Sequence, residues 1–149
     1  MAAADIRPGE VRVDAAAPAD AALRFIGRIG TPWAVRGDCP RSGDPEAGPV
    51  CRVEVFEPWV AALEGVERHA WLELLYWMHE ARRDLVRQSP RSAGTTGTFA
   101  LRSPVRPNPI ATSRVRLVGI EGPCLLVRGL DCLDGTPLLD IKPDLPPRA

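Results

Sequence analysis

Turn-forming residues cut the last third of the chain into short apolar segments, and this punctuation constrains the fold more than any other feature. Glu121-Gly122-Pro123 and Asp134-Gly135-Thr136-Pro137 separate segments 113–120, 124–129 and 138–141, and segment 98–102 precedes them. Gly, Pro and Asp favour turns through their backbone conformations and local hydrogen bonds, so each segment reads as a strand bounded by turns. Short strands at such close intervals predict a closed or nearly closed β-barrel, a mainly β fold in a single small domain.

Upstream the pattern is compatible. Residues 24–29 read as a first short strand, and residues 30–49, dense in Gly, Pro, Asp and Ser, as a long loop of the kind that is functional or disordered. Residues 50–56 alternate, with Val53 and Val55 on one face and Arg52 and Glu54 on the other, as in a half-buried strand. Pro58 before Trp59-Val60-Ala61-Ala62-Leu63 suits one helical turn. Residues 69–87 fit two patterns. Trp71, Leu74, Leu75 and Met78 recur at helical spacing, while the dense apolar and aromatic run fits a buried strand. Residues 89–97 read as a loop broken by Pro90, Gly94 and Gly97. Residues 1–21, rich in Ala, Pro and Asp, read as a flexible N-terminal tail, which leaves 22–149 as the folded domain.

A chain of 149 residues with 45% hydrophobic and 26% charged residues is an ordinary one-domain globular composition. No apolar run is long enough to span a membrane, and the acidic start lacks the apolar core of a signal peptide, so a cytoplasmic protein is expected. Cys39, Cys51, Cys124 and Cys132 form no CxxC pair, and His69 and His79 are not at metal-ligand spacing, so no metal is expected. The net charge is zero but unevenly placed. Residues 1–81 hold eight arginines against thirteen acids, whereas residues 82–116 hold eight arginines against Asp84 alone. That stretch is either a basic surface suited to RNA or a set of arginines spread over different faces. Lys142 is the only lysine among nineteen basic residues; it either pairs with an acid such as Asp140 or lines a site.

The Gly-rich G-x-G-x-x-G turn of dinucleotide-binding folds and the P-loop are both missing from the sequence. Two other blocks are informative. Gly97-Thr98-Phe99-Ala100-Leu101-Arg102-Ser103-Pro104-Val105-Arg106-Pro107-Asn108-Pro109-Ile110 contains R-P-N-P-I, and Leu130-Asp131-Cys132-Leu133-Asp134-Gly135-Thr136-Pro137-Leu138-Leu139-Asp140-Ile141-Lys142-Pro143 contains D-x-x-D-G-T-P-x-x-D-I-K-P. In this order they resemble the TsaA-like (TrmO) family. Weaker similarity runs forward through Thr31-Pro32-Trp33 and Phe25-Ile26-Gly27-Arg28-Ile29, so that the resemblance covers roughly residues 24–146. It implies a non-Rossmann β-barrel that binds S-adenosylmethionine (SAM), usually as a homodimer. It also implies methylation of N6 of threonylcarbamoyladenosine beside the anticodon of tRNA. The resemblance favours a strand through about Met78, followed by a turn or short helix.

The resemblance assigns cofactor contacts to Pro40, Arg41, His79, Glu80, Arg102, Asp131, Cys132, Leu133 and Asp134. An arginine such as Arg102 can hold a carboxylate through two parallel hydrogen bonds, or form a surface ion pair. Asp131 and Asp134 suit ribose hydroxyls, the adenine amine and a sulfonium charge, although Asp before Gly is also ordinary turn chemistry. Backbone groups of Cys132 and Leu133 could read adenine, and Arg106, Asn108 and Asp144 are the substrate-side candidates. Asp140, Asp134 or neutral His79 could accept the N6 proton, with Lys142 stabilising charge on the carbamoyl oxygen. The sequence departs from the family at Asp144, where a tyrosine is usual, at Ser42 and Gly43 in the P-R-Q-P-G loop, and at Ala111 after R-P-N-P-I. Compared with longer bacterial members of the family it lacks a C-terminal extension after Ala149, so less surface for gripping a tRNA is expected. Two alternatives therefore stand beside the tRNA enzyme: a methyltransferase of a small molecule, and a non-catalytic SAM-binding regulatory module.

Overall fold

The computed structural model describes residues 6–14, 20–91 and 94–147. Its strands, in chain order, are β1 (Val11–Arg12), β2 (Gly27–Gly30), β3 (Cys51–Val55), β4 (Trp71–Trp77), β5 (Leu85–Gln88), β6 (Thr96–Gly97), β7 (Ile110–Glu121), β8 (Cys124–Arg128) and β9 (Thr136–Pro143). Helical structure among the described residues is limited to short 3-10 turns, one of them at Val60–Leu63, where a helical turn is expected. The chain divides into two compact units, Met1–Ala22 with His79–Ile110, and Leu23–Met78 with Ala111–Ala149. That division differs from the expected boundary at residue 22.

The larger unit is the barrel. Its strands close in the order β2-β3-β8-β7-β4-β9, and the pairs with described registers are antiparallel. Alternation decides what faces inward. In β4, Leu72, Leu74 and Tyr76 are buried while Trp71, Glu73, Leu75 and Trp77 are half-exposed, which resolves the ambiguous run in favour of a strand. Ile29, Val53, Leu72, Leu74, Val115, Leu125, Val127 and Leu138 fill the interior with no exposed surface. Each contributes about 1.5–3 kcal/mol by leaving water, before the entropy cost of ordering the chain.

The smaller unit carries a three-stranded sheet in the order β1-β5-β6. Val11 and Arg12 pair with Arg87 and Leu85, so part of the expected flexible tail is a strand; the tail's residues 1–5 and 15–19 lie outside the described residues. The strand expected over residues 98–102 is instead a 3-10 turn, Thr98–Ala100. The reason is a buried polar cluster. The Thr98 hydroxyl donates to the Leu85 carbonyl at 2.6 Å and accepts from Gln88 Nε2 at 2.9 Å, and Gln88 also donates to the Val105 carbonyl at 2.8 Å. A buried amide and hydroxyl satisfied in this way outweigh local strand preference.

Candidate functional site

The barrel unit places the segment Asp131–Asp134 immediately after β8 and laces it to the loop that follows β2. The Asp134 N–H donates to the Trp33 carbonyl at 2.8 Å, and the Gly135 N–H to the Ile29 carbonyl at 2.8 Å. In return the Thr31 N–H donates to Asp134 Oδ1 at 3.0 Å, and the Thr31 hydroxyl to the Cys132 carbonyl at 2.8 Å. Thr136 closes the turn by donating its hydroxyl to the Leu133 carbonyl at 2.7 Å. Gly135 takes φ +81°, which only glycine adopts readily, and a side chain there would point into open space. The turn is therefore rigid on its protein side and open on the other.

Asp131 is held from the barrel wall. The Tyr76 hydroxyl donates to its Oδ1 at 3.1 Å and lies 2.7 Å from Ser113 Oγ. Burial pushes the Asp131 carboxyl above the usual carboxylate range, and the Tyr76 hydrogen bond works against that shift. Burial, and then the Asp131 charge, push the Tyr76 hydroxyl up as well. Asp134 by contrast is exposed, and its Oδ2 has no hydrogen-bond partner among the described residues.

The loop of residues 30–49 reaches the same segment. A Cβ on Gly43 would sit 1.8 Å from the Gly129 carbonyl oxygen, so this loop lies directly against the backbone that leads into Asp131. The Asp44 side chain shapes it by accepting from the N–H groups of Glu46 and Ala47, both at 2.9 Å. Pro40 and Arg41, both exposed, belong to this loop. Of the expected cofactor residues, Cys132, Leu133 and Asp134 share the segment with Asp131, while Pro40 and Arg41 lie on the loop whose Gly43 meets Gly129.

Asp140 and Lys142 lie elsewhere on the barrel. β9 pairs with β2 so that Thr136 faces Ile29 and Leu138 faces Gly27, and Asp134 stands beyond the Gly30 end. The step from Thr136 to Asp140 along β9 spans roughly 13 Å away from that end. There Lys142 Nζ pairs with Asp140 Oδ2 at 2.7 Å, and the Ile141 N–H donates to Asp140 Oδ1 at 2.9 Å. Asp140 also lines an open cavity of about 510 Å³ with Trp59, Leu63, Arg68 and His69. Asp144 pairs with Arg114, whose guanidinium stacks 3.7 Å over the Trp71 ring.

The remaining expected residues belong to the smaller unit. His79, Glu80 and Arg102 are exposed, and the Arg102 side chain forms no hydrogen bond or ion pair among the described residues. Arg106 Nη1 donates to the Leu101 carbonyl at 2.5 Å and the Ser103 carbonyl at 3.3 Å, so it pins its own loop. Asn108 Oδ1 accepts from Arg83 at 3.2 Å. Of the eight arginines in residues 82–116, Arg82, Arg83, Arg106, Arg114 and Arg116 all have partners, which dilutes the basic stretch. Among the described residues no group of three or more His, Cys, Asp or Glu is placed to hold a metal ion, and no helix is long and apolar enough to cross a membrane.

Sequence reasoning missed Tyr76, Ser113 and Thr31 as parts of the site. One signal was present: Tyr76 is the chain's only tyrosine and lies in an apolar run, where a buried hydroxyl needs a partner.

A closed six-stranded β-barrel that presents two carboxylates on an open-sided turn stands outside the doubly wound class of nucleotide-binding folds. The chain belongs to the tRNA-methyltransferase O N-terminal domain family, whose model matches residues 28–147. It is 55% identical over 140 residues to the "Probable S-adenosyl-L-methionine-binding protein VirR" of Rhizobium radiobacter, covering 93% of this chain and 79% of that one. It is 37% identical over 121 residues to an S-adenosyl-L-methionine-binding protein of Archaeoglobus fulgidus, covering 80% of this chain and 86% of that one. The fold matches a crystal structure of TrmO from Pseudomonas aeruginosa with a TM-score of 0.69 and 38% identity, over 86% of this chain. This chain spans 57% of the length of that solved chain.

Proposed function

We propose that this chain is a SAM-dependent methyltransferase whose acceptor is N6 of threonylcarbamoyladenosine beside the anticodon of tRNA. The observation that supports it most is the Asp131–Asp134 turn, which lies inside the matched residues 28–147 and presents carboxylates held from behind. The donor set fits SAM: carboxylates suit its ribose hydroxyls, amine and sulfonium, and Asp134 keeps Oδ2 available. The carbonyls of Cys132 and Leu133 are engaged by Thr31 and Thr136, so their N–H groups are the ones to read adenine. Arg41 from the loop, and Arg102, an exposed guanidinium, suit carboxylate groups of donor or acceptor. SAM supplies a methyl group activated by a sulfonium. The protein's work is to fix the donor, exclude water and take the N6 proton. Asp134, His79 and Asp140 are the candidate bases, and the engagement of both Asp140 oxygens favours the first two over it. A homodimer acting in the cytoplasm completes this reading.

One observation favours a second reading, with a small molecule as acceptor. Asp144 stands where the family's tyrosine is expected, and it ties down Arg114, whose guanidinium already covers the Trp71 ring. That ring face is unavailable for stacking a base. Calorimetry with SAM for the wild type and Asp134→Ala, followed by tRNA binding at increasing salt, tests both readings. The tRNA reading predicts SAM binding lost in the variant and tRNA affinity that falls steeply with salt. SAM binding that is indifferent to Asp134 contradicts the site, and tRNA binding that is absent even at low salt contradicts the acceptor.

A further inference from the structure

The Asp131 carboxylate is the one acidic group of the turn that the barrel interior reaches. Tyr76 comes from β4 and Ser113 from β7, 37 residues away in sequence, yet their oxygens lie 2.7 Å apart. A hydroxyl has a single proton. Because Tyr76 donates to Asp131 Oδ1 at 3.1 Å, it must accept from Ser113. The three groups therefore form a one-way chain, Ser113 to Tyr76 to Asp131. Tyr76 is 2% exposed, so water does not substitute for it. Chains of this kind strengthen each bond by polarisation, and they favour the charged form of the group at the end.

We propose that Tyr76 and Ser113 are positioning residues that fix the Asp131 carboxylate and keep it ionised for the bound donor. This rests on the reading that Asp131 belongs to a SAM site. Without the pair, Asp131 would be a half-buried carboxyl facing desolvation alone and would take up a proton at higher pH. The titratable groups around it do not compete. Tyr76 faces it from β4, and Cys132 adjoins it in its own segment. Burial pushes Tyr76 upward, and pushes Cys132 to about 12, so both stay protonated near neutrality. Cys51 on β3, which lies next to Cys132 electrostatically, is likewise pushed up to about 11.

The test is SAM affinity by calorimetry across about pH 5 to 9 for the wild type, Tyr76→Phe, Ser113→Ala and Asp131→Asn. A hydrogen bond to a charged group is worth enough that Tyr76→Phe should weaken binding about tenfold or more near pH 7. The pH at which affinity is lost should move upward, so the variant recovers toward wild type at the alkaline end. Ser113→Ala, which leaves the Tyr76 donor in place, should move it less in the same direction. This milder variant keeps the test decisive if Tyr76→Phe fails to fold. Asp131→Asn should bind weakly with no such pH dependence. Wild-type binding with unshifted profiles in both hydroxyl variants overturns the inference and leaves the SAM reading intact. An equal loss at every pH also overturns it, because a merely structural role gives that pattern. No SAM binding by the wild type removes the reading underneath and the inference with it.

Discussion

Substituting Gly43 by alanine tests how tightly the loop of residues 30–49 is seated on the segment that leads into Asp131. The new Cβ would lie 1.8 Å from the Gly129 carbonyl oxygen, 2.3 Å from its carbon and 3.0 Å from the Leu130 nitrogen. All three atoms are backbone, so no rotamer change relieves the clash. Restoring ordinary contact requires the loop to retreat by about 1.5 Å, and overpacking of this kind costs about 1–3 kcal/mol. For a chain of 149 residues that lowers the melting temperature by roughly 3–10 °C. Gly37→Ala is the internal control, because a Cβ there meets nothing within 4 Å and Gly37 does not require positive φ. Thermal unfolding followed by circular dichroism, with SAM calorimetry on both variants, reads the result. We expect Gly43→Ala to melt lower and bind SAM more weakly, and Gly37→Ala to match the wild type. Melting of Gly43→Ala within about 1 °C of wild type, with SAM affinity unchanged, would refute the close seating of the loop.

Other expectations follow from the same structure. Burial holds the Asp131 carboxyl above its ordinary range, so the unfolded chain loses that proton at lower pH than the folded one. Stability from the neutral form is therefore present below the ordinary carboxylate pKa and is lost as pH rises through the folded value. Asp131→Asn should accordingly melt higher than wild type near neutral pH, with the advantage vanishing in acid, even as SAM binding is weakened. Leu74→Ala removes a fully buried side chain and should cost about 2–5 kcal/mol in denaturant unfolding. Glu121→Gln breaks a solvent-exposed pair with Arg52 and should leave the denaturant midpoint of unfolding essentially unchanged. In native protein an alkylating reagent should modify Cys39 and Cys124, which are half-buried. Cys51 and Cys132, 2% and 1% exposed, should react only after unfolding, as mass spectrometry can count.

The barrel was legible where alternation and turn signals agreed. Val53 and Val55 point inward as their spacing implies, and the turn at Asp134-Gly135 falls where its residues place it. Two elements were not legible, because their causes are distant in sequence. Thr98 leaves strand geometry through hydrogen bonds to Leu85 and Gln88, and Val11–Arg12 becomes a strand through pairing with β5. The same holds for the site. Asp131, Asp134, Pro40 and Arg41 could be chosen from motif resemblance, but the Ser113–Tyr76–Asp131 chain joins residues 37 and 55 positions apart, which local pattern does not carry. Asp140 and Lys142 share a motif with Asp134 yet stand toward the other end of β9, since an extended strand separates what sequence keeps close.

The proposed reaction is methyl transfer from SAM to a modified adenosine in tRNA. The most direct measurement incubates the protein with methyl-labelled SAM and tRNA that carries threonylcarbamoyladenosine without its N6-methyl group, and then analyses the nucleosides. Label is expected on that nucleoside and should be lost with Asp134→Ala. Unlabelled nucleoside from protein shown to bind SAM would contradict the proposed acceptor.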